Sequence, residues 1–197
     1  MKFRVVSNRA MTRKMKTQVF LRWFFYALTL MLAFSLMSCG AFRTWQPYFI
    51  IPLCIGVAMR EQDFSSSVFG IFCGFFLDIG TGMLFGFHAL ILMIACMFTS
   101  LLSRNLIKVN ILNHLICTAI TTLLTFTLFY SFRYAIWDLD GAELLIWRIY
   151  LPSFIATCVT SFSLFLLTKF IATHLGLEEV KEVQSDNKES DKKTDRR

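Results

Sequence analysis

Apolar residues in this chain gather into six blocks: Trp23 to Ala41, Trp45 to Met59, Phe64 to Ile79, Met83 to Leu102, Ile111 to Phe132 and Leu144 to Phe170. A helix rises 1.5 Å per residue, so about twenty apolar residues cross a hydrocarbon core of about 30 Å, and the blocks predict membrane-spanning helices. The second block is short and carries Pro47 and Pro52. Proline inside a span removes a backbone hydrogen bond and bends the helix, so a kink is expected there. The third block, about sixteen residues, reaches only about 24 Å, and a re-entrant hairpin competes with a full crossing. Between the third and fourth blocks, Gly80-Thr81-Gly82 predicts a turn so short that the two helices are antiparallel neighbours.

Charge decides between the two readings of the third block. With six crossings and a cytoplasmic N-terminus, 17 of the 20 Lys and Arg fall inside, and only Arg43, Arg133 and Arg148 fall outside. A re-entrant third block divides them ten to ten. The positive-inside rule therefore favours six crossings with both termini cytoplasmic. The expected fold class is an all-α integral membrane protein, a six-helix transmembrane bundle. Its expected parts are a basic cytoplasmic segment over 1–22, a membrane domain over 23–170 and a charged cytoplasmic tail over 171–197.

Composition agrees: 56% of the 197 residues are hydrophobic, too many for the polar coat of a soluble globule of this size. One membrane domain leaves no room for a separate catalytic one. The first 22 residues hold Lys2, Arg4, Arg9, Arg13, Lys14, Lys16 and Arg22 and no acid, so they are expected to lie against anionic lipid headgroups. The last 22 residues, from Gly176, hold seven acids and six bases and read as a disordered tail. Leu36-Met37-Ser38-Cys39-Gly40 imitates a lipoprotein cleavage box, but the apolar stretch before it is as long as a full span. The six cysteines, Cys39, Cys54, Cys73, Cys96, Cys117 and Cys158, show no CxxC pair and no metal-ligand spacing with histidine, and read as small core residues. No metal, cofactor or nucleic acid is expected.

Asp78 is the one carboxylate inside any block, within Gly70-x3-Gly74-x3-Asp78-x-Gly80-x-Gly82-x3-Gly86-x-His88. A charge at bilayer depth costs about 2.5 to 3.5 kcal/mol on insertion scales, so it needs a partner, water or a role. Residues four apart share a helix face, which aligns Gly70, Gly74 and Asp78 into a small-residue stripe suited to close helix contact. Gly82 and Gly86 repeat the spacing and predict a second smooth face on the following helix. His88, about six residues past the turn, is placed to reach Asp78. The pair reads either as a proton relay or as a polar helix-end contact that fixes the hairpin.

Pro47 and Pro52 in a short second span, then Gly70-x3-Gly74-x3-Asp78 with its Leu77-Asp78 step, then Gly86-Phe87-His88-Ala89-Leu90, resemble the rod-shape-determining MreD family. The resemblance covers Trp45 to about Leu102. Gly82-Met83-Leu84-Phe85 departs from it where a proline is usual near the inter-helix break. The resemblance implies a multi-pass protein of the bacterial plasma (inner) membrane with no reaction of its own. It also implies a role in cell shape, as a scaffold of the elongasome that carries out lateral peptidoglycan synthesis. The partners so implied are an MreC-like bitopic membrane protein and, indirectly, MreB and the wall-elongation glycosyltransferase and transpeptidase.

Two other classes compete. Six-helix bundles of this size also resemble the substrate-binding membrane component of energy-coupling-factor vitamin transporters. Arg43, Arg133, Tyr134, Trp137, Asp138, Asp140 and Glu143 would then line an outer pocket. An intramembrane enzyme would need a second carboxylate at depth, or a nucleophile with an oriented base. His114 and His174 are expected near cytoplasmic ends, away from any oriented nucleophile.

Overall fold

The computed structural model describes residues 2–39, 47–82, 85–106, 108–132, 148 and 150–174, with side chains described from residue 17 onward. The outer-loop cluster from Arg43 and from Arg133 to Glu143, and the tail over 176–197, lie outside the described residues. Six α-helices are described: α1 (Lys2–Ser38), α2 (Ile50–Ala58), α3 (Asp63–Thr81), α4 (Phe87–Asn105), α5 (Ile111–Tyr130) and α6 (Leu151–His174). Among the described residues, five stretches are long and apolar enough to cross a membrane: Thr17–Ser38, Asp63–Thr81, Phe87–Asn105, Ile111–Tyr130 and Leu151–Thr173. The protein is thus an all-helical, multi-pass membrane protein. The third block, doubtful by length, forms a 19-residue helix.

The chain divides into two compact units, 1–27 with 169–197, and 28–168. In the first, α1 is already helical from Lys2, so the basic segment and the apolar segment belong to one helix. Trp23 and Tyr26 meet edge to face at 5.9 Å, while Phe20 and Phe24 are exposed.

The second unit is built around α2. Its nine residues extend only about 14 Å, yet every one of them is buried, against α3, α4 and α5. The expected kink does not form. Pro47 lies ahead of the helix, and Pro52 is its third residue, inside the first turn, where a missing N–H interrupts no established ladder. The Tyr48 carbonyl, which Pro52 cannot serve, accepts instead from the Ile51 N–H at 3.2 Å. The two prolines set where α2 begins.

Contacts fix the directions of the helices. Phe34 packs on Phe76 at 5.3 Å, and the Met37 methyl reaches Gly80, so this part of α1 runs parallel to α3. Asp63 on α3 meets Arg104 on α4, while Asp78 meets His88, so α3 and α4 are antiparallel. Phe87 packs on Phe132, and His114 on Phe165, so α4, α5 and α6 alternate as well. α2 begins beside Phe126 and Thr157 and ends beside His114 and Thr168, and so carries the chain toward the end from which α3 starts.

Polarity is arranged inside out. Asp78, His88, His114, Thr118, Thr122, Thr157 and Ser161 are buried, whereas Phe64, Phe72, Ile79, Phe98, Ile120 and Val159 are exposed. Apolar outer faces and paired polar groups within are what a hydrocarbon solvent selects.

Candidate functional site: a carboxylate-capped helical hairpin

Asp78 lies in the last turn of α3 and is 1% exposed. Its carboxylate closes the gap to α4. Oδ2 accepts the Gly86 N–H at 2.8 Å, and Oδ1 accepts the His88 N–H at 3.0 Å and lies 2.7 Å from His88 Nδ1. Gly86 is the residue before α4 and brings no capping side chain, and the first N–H groups of a helix have no partner within it. Asp78 supplies from the preceding helix the acceptor that a Ser or Asp normally supplies locally. Its negative charge also faces the positive end of the α4 dipole. With Nδ1 donating to the carboxylate, the His88 ring is fixed in orientation. Its Nε2 is buried with no hydrogen-bond partner among the described residues, and its ring lies 6.2 Å from that of Phe129. The histidine thus makes a helix-end contact.

The glycines on α3 let α4 come close enough for this contact. A Cβ at Gly70 would lie 2.8 Å from the Leu92 carbonyl oxygen, and one at Gly74 would run into the backbone of Ala89 and His88. Neither obstacle is a side chain that can turn away. Gly82 and Gly86 act differently from the second smooth face expected of them. Both fall outside α3 and α4, with φ of 64° and 100°, and a Cβ at either would meet nothing within 4 Å. Their spacing by four has no helical meaning because Gly82 caps the end of one helix and Gly86 the start of the next. Gly82 ends α3 in the left-handed conformation, with its N–H on the Asp78 carbonyl, and Gly86 turns the chain into α4.

The opposite end of the hairpin is held by Asp63, the first residue of α3. Its carboxylate accepts the Ser100 hydroxyl at 2.7 Å and pairs with Arg104 at 3.1 Å, and Ser100 also lies 3.0 Å from the Glu61 carbonyl oxygen. An acid at the start of α3 and a base at the end of α4 both suit the helix dipoles.

A second polar centre, not anticipated from the sequence, joins α2 to α5 and α6. His114, fully buried, has Nε2 at 3.0 Å from the Pro52 carbonyl and Nδ1 at 3.0 Å from the Ser161 hydroxyl. The carbonyl can only accept, so Nε2 carries the hydrogen and Nδ1 accepts from Ser161. A Cβ at Gly56 would lie 2.9 Å from Thr168 Oγ1 and 3.3 Å from His114 Nε2, so α2 approaches this pair through a glycine. The Tyr48 N–H donates to Thr157 Oγ1 at 3.1 Å, and Arg60 donates to the Gly56 carbonyl at 2.8 Å while lying over the Phe165 ring at 4.7 Å. The sequence signal was His114-x3-Thr118-x3-Thr122 with Ser153-x3-Thr157-x3-Ser161, two polar stripes at helical spacing.

A cavity of about 240 Å³ opens beside His114, lined by Ile111, Leu112, Leu115, Cys158, Ser161 and Phe162. Both nitrogens of His114 are engaged elsewhere, so the lining is effectively apolar. Among the described residues no group of three or more His, Cys, Asp and Glu is arranged to hold a metal ion. Comparison of the chain with protein-family models, with curated proteins and with solved structures finds no match.

Proposed function

We propose that this protein is a non-enzymatic scaffold of the bacterial plasma membrane, an MreD-like component of the cell-elongation machinery that holds an MreC-like bitopic partner. The observation that carries this reading is the state of Asp78. All three of its hydrogen bonds go to the neighbouring helix end, so the chain's one carboxylate at membrane depth works as a joint. A joint of this kind gives a rigid hairpin, and a rigid hairpin presents a constant surface to a second transmembrane helix.

The chain makes six crossings, with both termini cytoplasmic. Supporting this, α1 and α3 run parallel, so the chain between them crosses once, and the nine-residue α2 lies in that interval. Arg60 and Arg104 then share the cytoplasmic end with Asp63. The outward side chains of the hairpin, Phe72 and Ile79 on α3 with Leu90, Ile94 and Met97 on α4, form the partner-binding face. In lipid such a face binds by packing and not by hydrophobic drive, so it depends on the hairpin keeping its shape.

The test is crosslinking in intact cells, mild-detergent purification of the tagged protein, and mass spectrometry of what accompanies it. An MreC-like protein with wall-elongation enzymes is the expected result. Paired ATPases with a membrane coupling subunit would replace this reading with the vitamin-transporter one.

A further inference from the structure

Three cysteines from three helices converge in the centre of the second unit. Cys54 on α2, Cys73 on α3 and Cys96 on α4 are each fully buried. The thiols of Cys54 and Cys96 are in contact at 2.7 Å, and Cys96 Sγ also lies 3.8 Å from the Cys54 carbonyl oxygen. Cys73, on α3, is buried in the same part of the core. The glycine stripe creates the meeting: a Cβ at Gly70 would sit 3.2 Å from Cys96 Sγ, so the bare backbone of α3 is what admits that thiol. Cores filled only for packing favour Leu, Ile and Val, whose shapes specify a fit. A thiol pair in contact between two helices has a chemistry those residues lack.

The geometry points to Cys54 and Cys96 as a reversible dithiol–disulfide pair, a modification site that latches the central helix α2 to α4. Oxidation forms one Sγ–Sγ bond and releases two protons and two electrons. A small neutral two-electron oxidant takes them up; with a diazene the N=N bond becomes the N–N bond of a hydrazine. The oxidant must be small and uncharged because the pair is closed to water on every side. Reopening the bond to two thiols takes a small uncharged dithiol reductant, which enters by exchange, accepts the two sulfur linkages in turn and leaves as its own cyclic disulfide. The latch lies away from Asp78 and is independent of the scaffold reading.

The test uses the full-length Cys39→Ser protein in native membranes, treated with diamide, blocked with N-ethylmaleimide and cleaved at methionine with cyanogen bromide. Cleavage at Met37, Met59, Met83, Met93 and Met97 places Cys54, Cys73 and Cys96 on separate fragments, 38–59, 60–83 and 94–97. The expected product is fragment 38–59 joined to 94–97. It should be released by dithiothreitol, absent from the Cys54→Ser variant and still formed in the Cys73→Ser variant. Fragments 38–59 and 94–97 recovered separately after diamide would overturn the proposal. So would a link from 60–83 to 94–97 in place of the expected one.

Discussion

The Asp78 carboxylate and the His88 imidazole meet at 2.7 Å with almost no exposure on either side, and the same oxygen of Asp78 also accepts the backbone N–H of His88. One residue at the end of α3 thereby fixes both the first turn of α4 and the side chain on it. The imidazole is the dispensable half of this contact, because the two backbone N–H groups are held whether or not the ring is there.

Replacement of Asp78 should therefore cost more than replacement of His88. Asp78→Ala leaves the half-buried Gly86 N–H and the buried His88 N–H and Nδ1 unanswered, and should lower stability by about 3 kcal/mol or more, since hydrogen bonds to charged groups contribute about 1.5–3 kcal/mol each. Asp78→Asn, which keeps the shape and loses the charge, should lie between Asp78→Ala and the parent. His88→Ala should lose less than Asp78→Ala. Thermal unfolding of the purified proteins in one mild detergent ranks them, and a His88→Ala loss equal to that of Asp78→Ala would show that the ring, not the cap, holds the hairpin.

The glycines separate by mechanism. Gly74→Ala presses a methyl group into the Ala89 backbone and should cost at least the 1–3 kcal/mol typical of overpacking. Gly82→Ala has open space around it and pays only the left-handed conformation, about 1–2 kcal/mol. Asn, which tolerates that conformation, should recover much of the loss at position 82 and none at position 74. The comparison is again made by thermal unfolding. Equal recovery by Asn at the two positions would contradict the close approach of α3 and α4.

His114 should matter more than any other residue of α5. His114→Ala leaves the buried Pro52 carbonyl and Ser161 hydroxyl without their shared partner and should cost about 2–4 kcal/mol, combining lost hydrogen bonds with a cavity. Ser161→Ala should cost about 1 kcal/mol, because His114 keeps its bond to the Pro52 carbonyl. Limited proteolysis should show α2 loosening in the first variant and not in the second.

The hairpin was legible because each of its signals is local. Gly70, Gly74 and Asp78 recur at helical spacing, and His88 follows within the reach of one turn. Gly82 and Gly86 were misread because spacing by four has meaning only inside a continuous helix, and the apolar block from Met83 did not show that the next helix begins only at Phe87. His114 was passed over because its partners, Pro52 and Ser161, lie 62 and 47 residues away along the chain.

Composition and periodicity by themselves determined that the chain is helical and membrane-embedded, where five of its long apolar stretches fall, and that Asp78 needs a partner. These follow from the cost of bare backbone and bare charge in hydrocarbon, which acts on each segment separately. Only the tertiary structure decided that the second block is a nine-residue helix buried on every side, that its prolines start it without bending it, and that the thiols of Cys54 and Cys96 meet between two helices. Those depend on which helices neighbour which. In lipid that choice rests on close packing and a few buried polar contacts between residues far apart in sequence, so no local pattern records it.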